Sequence, residues 1–185
     1  MNLFQPILIL GFAFFVVFAE ATLTGPRDWL GAQIDLLPAL MVYAALNADI
    51  ITLSLLAVLG GLWFDSLSAN PLGITILPLF LAGFPIYFRR ELILRTAPFA
   101  QLVLGAAASA AVPTMVLLLM LNLGWQPMVG WDTLWQIAVV TAGGAAATPL
   151  LFGLLDWCGG ALGYKEEPEM GFRPDREIRH GRLLK

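Results

Sequence analysis

Apolar residues run through this chain in blocks long enough to cross a bilayer, with polar residues gathered between them. A hydrocarbon core about 30 Å thick needs about 20 mainly apolar residues in a helix, with about 17–25 tolerated. Leu3–Ala19, Gln101–Leu123 and Thr133–Leu155 meet that length directly. Gly73–Phe88 is shorter and carries Pro78 and Pro85. Ile34–Asn47 and Ile50–Phe64 are separated only by Ala48 and Asp49, which reads as two short spans joined by a tight turn. The pattern predicts six spans, whereas taking Ile34–Phe64 as one broken segment gives five. Pro38, Pro78, Pro113 and Pro149 lie inside these runs and are expected to kink their helices, leaving neighbours to satisfy the freed carbonyls.

Composition agrees with the pattern. Of 185 residues, 59% are hydrophobic and 12% charged, and the mean hydropathy is +0.81. A soluble domain carries about 25% charged residues, so the chain reads as an all-α integral membrane protein. Residues 1–163 form one expected membrane domain, and 164–185 a charged tail too polar to bury a core and expected to be disordered. Leu3–Ala19 has no positive segment before it and no small-residue cleavage pattern ahead of Glu20, so it is expected to be a retained span. Cys158 is the only cysteine, which excludes an internal disulfide and a thiolate metal cluster.

Positive charge sets the expected orientation. Arg89, Arg90 and Arg95 fall between the fourth and fifth spans. Lys165, Arg173, Arg176, Arg179, Arg182 and Lys185 fall in the tail, and only Arg27 lies elsewhere, beside Asp28. The positive-inside rule puts both clusters in the cytoplasm, and counting back six spans puts the N-terminus there too. Asp49 and the Arg89–Arg95 loop then face inward and the Ser66–Asn70 turn outward. Trp29, Trp125, Trp131 and Trp135 fall near outer span ends and Trp157 near an inner one, where aromatic belts form.

The most polar interruption is Gly60–Gly73, which holds Asp65, Ser66, Ser68 and Asn70. A carboxylate in hydrocarbon costs roughly 2.5–3.5 kcal/mol on insertion scales, so Asp65 should face protein or lie near the surface. One reading is a helix exit, with Asp65 and Ser66 at the interface and a turn at Asn70-Pro71. Its carboxylate is expected to accept from the amides that follow, as a helix cap does, and so to position Ser66–Gly73. The order Gly61-x-x-x-Asp65-x-x-Ser68-x-x-Pro71-Leu72-Gly73 resembles the signature region of MreD, the rod shape-determining membrane proteins of bacterial cell elongation. Upstream, Asp35 and Pro38 open an apolar run ending in Tyr43-Ala44-Ala45-Leu46, similar to the second span of that family. The resemblance covers about the first half of the chain, and no family motif is identified in the second half.

What the resemblance implies is a six-helix fold related to the substrate-binding subunits of energy-coupling-factor vitamin transporters. It implies a non-catalytic scaffold in the bacterial inner membrane, guiding lateral wall synthesis. Its implied partners are the single-span protein MreC, the filament protein MreB, and a wall-synthesis glycosyltransferase and transpeptidase. The alternative is a vitamin-binding subunit itself, with Asp65, Ser66, Ser68 and Asn70 holding a small ligand near the outer face. Such subunits usually display an Ala-x-x-x-Ala pair in the first span, and Ala13 and Ala19 do not form one.

Small residues mark where helices can approach. Gly105/Ser109 and Ala107/Ala111 in the fifth span, and Gly143/Ala147 and Gly144/Thr148 in the sixth, are small-xxx-small pairs. They are expected to pack the two spans on each other, the alternative being that one face receives a partner's transmembrane helix. The first span is bulky at Phe4, Phe12, Phe14, Phe15 and Phe18 and is expected to face lipid in part.

Catalytic patterns are missing from the sequence. There is no Gly-rich phosphate loop, His-Glu-x-x-His or Gly-x-Ser-x-Gly. His180 lies in the charged tail and reads as solvated. Asp35, Asp49, Asp65 and Asp156 are spread over different span ends, with Asp35 and Asp156 read as interfacial caps and Asp49 as a turn residue. Ser54, Thr75, Thr114 and Thr141 are expected to bond carbonyls of their own helices. The expectation is therefore no catalytic, cofactor or metal site and no nucleic-acid partner. A lipid-modifying enzyme is the remaining, third class.

Overall fold

The computed structural model describes residues 4–22, 31, 34–68, 70–93, 97–125 and 130–161. Expectations for the 164–185 tail with His180, and for Arg27, Asp28, Trp29 and Arg95, lie outside the described residues. The described residues form helices α1 (Phe4–Thr22), α2 (Leu37–Asn47), α3 (Ile50–Leu67), α4 (Ile76–Phe88), α5 (Pro98–Asn122) and α6 (Trp131–Ala161), with a 3-10 turn at Arg90–Leu92 and no strand. Gln5–Thr22, Ile50–Leu67, Pro98–Asn122 and Trp131–Gly160 are long and apolar enough to cross a membrane. The protein is thus a helical membrane protein. Helices α2 and α4 are apolar but shorter, at about 16 and 20 Å for a rise of 1.5 Å per residue.

Hydrogen bonds between elements show how the helices alternate. At one end, Gln5 Nε2 donates to the Asn47 carbonyl at 2.6 Å, and Arg90 Nη1 donates to the Ala48 carbonyl at 3.1 Å. The start of α1, the end of α2, the start of α3 and the end of α4 therefore share this end. At the other end, Glu20 near the close of α1 accepts from the Leu36 amide ahead of α2, and Asp65 near the close of α3 accepts from Thr75 ahead of α4. The Tyr43 hydroxyl donates to Asp156 at 3.1 Å, which puts the end of α6 with the end of α2. Gly105 meets Thr148 and Ser109 meets Gly144, so α5 and α6 run antiparallel. Consecutive helices reverse direction throughout.

Helix α2 is the hub. It packs against α1, α3, α4, α5 and α6, and every residue from Leu37 to Leu46 is buried. A helix apolar all round suits that place, since no face meets water. Close backbone approach brings its neighbours in: a methyl group at Gly60 of α3 would sit 3.1 Å from Leu37 Cδ1, and one at Gly83 of α4 2.9 Å from Met41 Cε. Aromatic edges join other pairs, with Phe14 of α1 against Trp63 of α3 at 5.3 Å and Tyr43 of α2 against Phe152 of α6 at 4.9 Å. Outside this core, Ile7, Phe14, Phe15 and Phe18 leave one side of α1 exposed, as fits a lipid-facing surface.

The prolines divide by position. Pro38 occupies the first turn of α2 and Pro78 is the third residue of α4, where the missing N–H would have had no intrahelical partner. Neither is a mid-helix break, against expectation, because α2 and α4 begin later than the apolar runs. Pro85, Pro113 and Pro149 do lie inside helices. Helix α6 has 31 residues, about 46 Å of helix. Exposed Trp135 and Trp157 stand about 33 Å apart along it, matching a hydrocarbon core of about 30 Å bounded by interfacial tryptophans.

Candidate functional site: the closed turn between α3 and α4

Helix α3 runs one turn past Phe64 to Leu67, so Asp65 belongs to its last turn rather than to a loop. Its residue is 1% exposed. One carboxylate oxygen, Oδ2, accepts from the Thr75 amide at 3.1 Å, and Oδ1 accepts from the Thr75 hydroxyl. Thr75 immediately precedes α4, and its amide is among the donors left without an intrahelical carbonyl. Asp65 thus acts as a tertiary cap, tying the end of one helix to the beginning of the next. The amides directly after Asp65 are not its partners, contrary to expectation. Thr75 is likewise corrected: its hydroxyl turns to Asp65 and not to a carbonyl of its own helix.

The rest of the block shapes the intervening turn. Ser66 donates to the Trp63 carbonyl at 2.8 Å, and Ser68 donates to the Asp65 carbonyl at 3.4 Å while accepting from the Asn70 amide at 3.3 Å. The Ile74 amide bonds the Pro71 carbonyl at 3.2 Å. Gly73 has φ +86°, a left-handed conformation that side chains disfavour. Gly61 lies under the start of α4, where a methyl group would stand 3.1 Å from the Ile76 backbone. Leu72 projects outward at the tip. Gly61, Asp65, Ser68, Pro71 and Gly73 therefore each shape or clamp one compact turn.

The upstream echo is built in parallel. Asp35 Oδ1 accepts from the Leu37 amide at 2.9 Å, and Glu20 Oε1 accepts from the Leu36 amide at 2.6 Å. Two carboxylates thus cap the start of α2, one local and one supplied by α1. Glu20 escaped the sequence reading because nothing local couples it to a residue 16 positions away. Pro38 follows, buried, and Leu37 packs against Gly60. The two halves of the resemblance are in this way neighbours in space.

The small residues of α5 and α6 form a mutual interlock. A methyl group on Gly105 would strike Thr148, whose Cβ is 2.7 Å away, and one on Gly144 would strike Ser109, whose Cβ is 2.5 Å away. Thr148 donates to the Gly144 carbonyl at 2.7 Å, while Ser109 Oγ is buried without a partner. Gly143 faces elsewhere, 2.8 Å (as a built methyl) from Ile34 Cγ2 ahead of α2. Ala147 is half-buried. The faces around Gly105, Ser109 and Gly144 are thereby occupied within the chain.

The remaining acids do not converge. Asp49 is exposed before α3 and makes no side-chain cap bond. Asp156 accepts from Tyr43 of α2, a link between helices in place of the expected local cap. Among the described residues no group of three or more His, Cys, Asp or Glu is placed to hold a metal ion. No protein-family model, curated protein or solved structure matches the chain.

Proposed function

We propose that this protein is a non-catalytic membrane scaffold of the bacterial cell-elongation machinery, acting in the manner of MreD. The observation that supports the reading is the fate of the polar block between α3 and α4. Asp65 engages Thr75, Ser66 engages Trp63, and Ser68 engages Asp65 and Asn70, all within the chain. A vitamin-binding subunit would have to aim such side chains at a ligand. A scaffold needs them to hold a surface in shape. On this reading all six helices, α2 and α4 included, belong to a six-span bundle in the inner membrane with both termini cytoplasmic. Its partners are a single-span MreC-like protein and, through it or directly, an MreB-like filament and the wall-synthesis glycosyltransferase and transpeptidase.

Loss of the protein should turn rod-shaped cells round or lethally wide, with no rescue by added vitamins, and the purified protein should bring down a single-span membrane protein. A stoichiometric vitamin in the purified protein, with cell shape unchanged, overturns the scaffold in favour of the transporter subunit. For orientation, cysteines placed at Asn70 and Gln126 should label with an impermeant thiol reagent from outside, and one at Lys185 should not. Labelling of Lys185→Cys in intact cells reverses the topology.

A further inference from the structure

Two faces of the bundle offer the membrane different apolar heights, a difference that the scaffold reading does not use. On α6, exposed Trp135 and Trp157 stand about 33 Å apart, close to the thickness of an ordinary hydrocarbon core. On α4, Leu77, Leu81, Pro85 and Phe88 form one exposed stripe, on a helix only about 20 Å long. Polar groups close that stripe at both ends. Past Phe88 come Arg89 and Glu91, both exposed, and α4 gives way to the turn at Arg90–Leu92. Arg95 follows in the same connection, so its charge falls on the same side of the stripe in the sequence. At the other end Gly61 lies against the Ile76 backbone, so α4 starts level with Gly61, while α3 continues to Leu67, about 9 Å farther. Irregular backbone fills that step, with Leu72 exposed at its tip and Ser66 exposed on α3.

Irregular backbone cannot face hydrocarbon, because its amides and carbonyls would lose water without gaining partners. Headgroups and water therefore have to reach down to the turn before α4, while charge holds the headgroup level at Arg89 and Glu91. An apolar height of about 20 Å against a core of about 30 Å leaves about 10 Å of mismatch. Tilting does not relieve it, since a tilted short helix spans still less of the bilayer. A bilayer beside too short a helix thins instead, and short acyl chains fit the thinned patch best. We propose that the α4 face thins the membrane beside it and gathers phospholipids with short acyl chains, while the α6 face keeps lipids of ordinary length.

The test puts a bimane fluorophore on single cysteines of the full chain, in a Cys158→Ser background, in nanodiscs of equal dimyristoleoyl- and dierucoyl-phosphatidylcholine. Bromine, a contact quencher, is carried by the short-chain lipid in one sample and by the long-chain lipid in the other. At Leu81→Cys on α4 the short-chain lipid should quench about threefold more than the long-chain lipid, and at Leu150→Cys on α6 it should hold no such advantage. In dioleoyl-phosphatidylcholine nanodiscs, aqueous iodide should quench Leu72→Cys at the turn and spare Ala142→Cys, which adjoins Gly143 at the same end of the bundle. All four positions are exposed, so folding should be intact, and an unchanged melting temperature checks this. Equal lipid selection at Leu81 and Leu150 or a long-chain preference at Leu81 would overturn the proposal. So would iodide failing to distinguish Leu72 from Ala142, or no quenching of Leu81 by either lipid, which would mean that protein covers the face.

Discussion

Helix α2 and the far half of α5 are written in nearly the same residues and meet opposite fates. Leu-Pro-Ala-Leu-Met-Val-Tyr-Ala-Ala-Leu is buried at every position. Met-Val-Leu-Leu-Leu-Met-Leu, from Met115 to Leu121, has no buried residue, since burial on α5 stops at Val112. On α6 the facing stretch Trp131–Val139 is likewise free of buried residues. Lipid and protein interior are about equally apolar, so hydrophobicity does not sort one from the other. Length and close approach do the sorting. Helix α2 has 11 residues, so its longer neighbours can surround it, and Gly60 and Gly83 let α3 and α4 close on it. Among the described residues, burial on α5 stops at Val112 and on α6 begins only at Val140, so the pair is least covered at the Glu20 end.

The sharpest way to break that contrast is at the seam holding α5 to α6. Gly105→Leu or Gly144→Leu puts a branched side chain where even a methyl group collides with Thr148 or Ser109. A loss of about 3 kcal/mol or more is expected, seen as little folded protein and a collapsed melting transition in detergent. Gly143→Ala would bring a methyl group 2.8 Å from Ile34 Cγ2, a single side chain ahead of α2, and should be milder than a change that collides with the packed seam. Equal damage from Gly143→Ala and from Gly144→Ala would show that the interlock with α5 does not set these positions apart, since alanine favours a helix over glycine at both.

Next in size are leucine truncations on the two sides of the comparison. Leu40→Ala removes a fully buried side chain from α2 and should cost about 2–5 kcal/mol, whereas Leu118→Ala on the exposed half of α5 should stay within about 0.5 kcal/mol. Steric-trapping or thermal unfolding measurements would read the difference. A large loss at Leu118 would mean that the overhanging hairpin is covered by a partner in the measured sample.

Smaller, and more informative about function, is the turn clamp. Asp65→Leu strands the Thr75 amide and hydroxyl in a buried place, at a cost of about 1–3 kcal/mol. Asp65→Asn keeps an acceptor and should cost about 1 kcal/mol, and under the proposed scaffold function rod shape should be largely preserved in a complementation assay. If Asn proves as inactive as Leu at normal protein level, the charge of Asp65 has a role beyond positioning the turn.

Much of the candidate site was legible because its signals are local. Pro71 and Gly73 mark a turn in any setting, and Gly73 does adopt positive φ. Asp65 stood out as an acid beside an apolar run, and Ala48-Asp49 as a break between two others. Its partner was not legible, because Thr75 lies ten positions away across a turn whose path only the packed helices fix. A threonine just ahead of an apolar run is a signal for a helix start, and with a nearby acid it was the one clue available. Glu20 and Asp156 were missed or misread for the same reason: each bonds a helix that its own sequence neighbourhood does not name.

What the sequence determined alone was the medium and the elements: runs of apolar residues make helices, and in a bilayer those helices are obliged to satisfy their backbones internally. The small residues at Gly105, Ser109, Gly144 and Thr148 also announced that backbones would touch. Tertiary structure alone decided who touches whom. In water an amphipathic stripe tells a helix which way to face, but a helix apolar all round carries no such stripe. Its rotation and neighbours are set by dispersion contacts and a few polar ties, which exist only once the partner helix is in place.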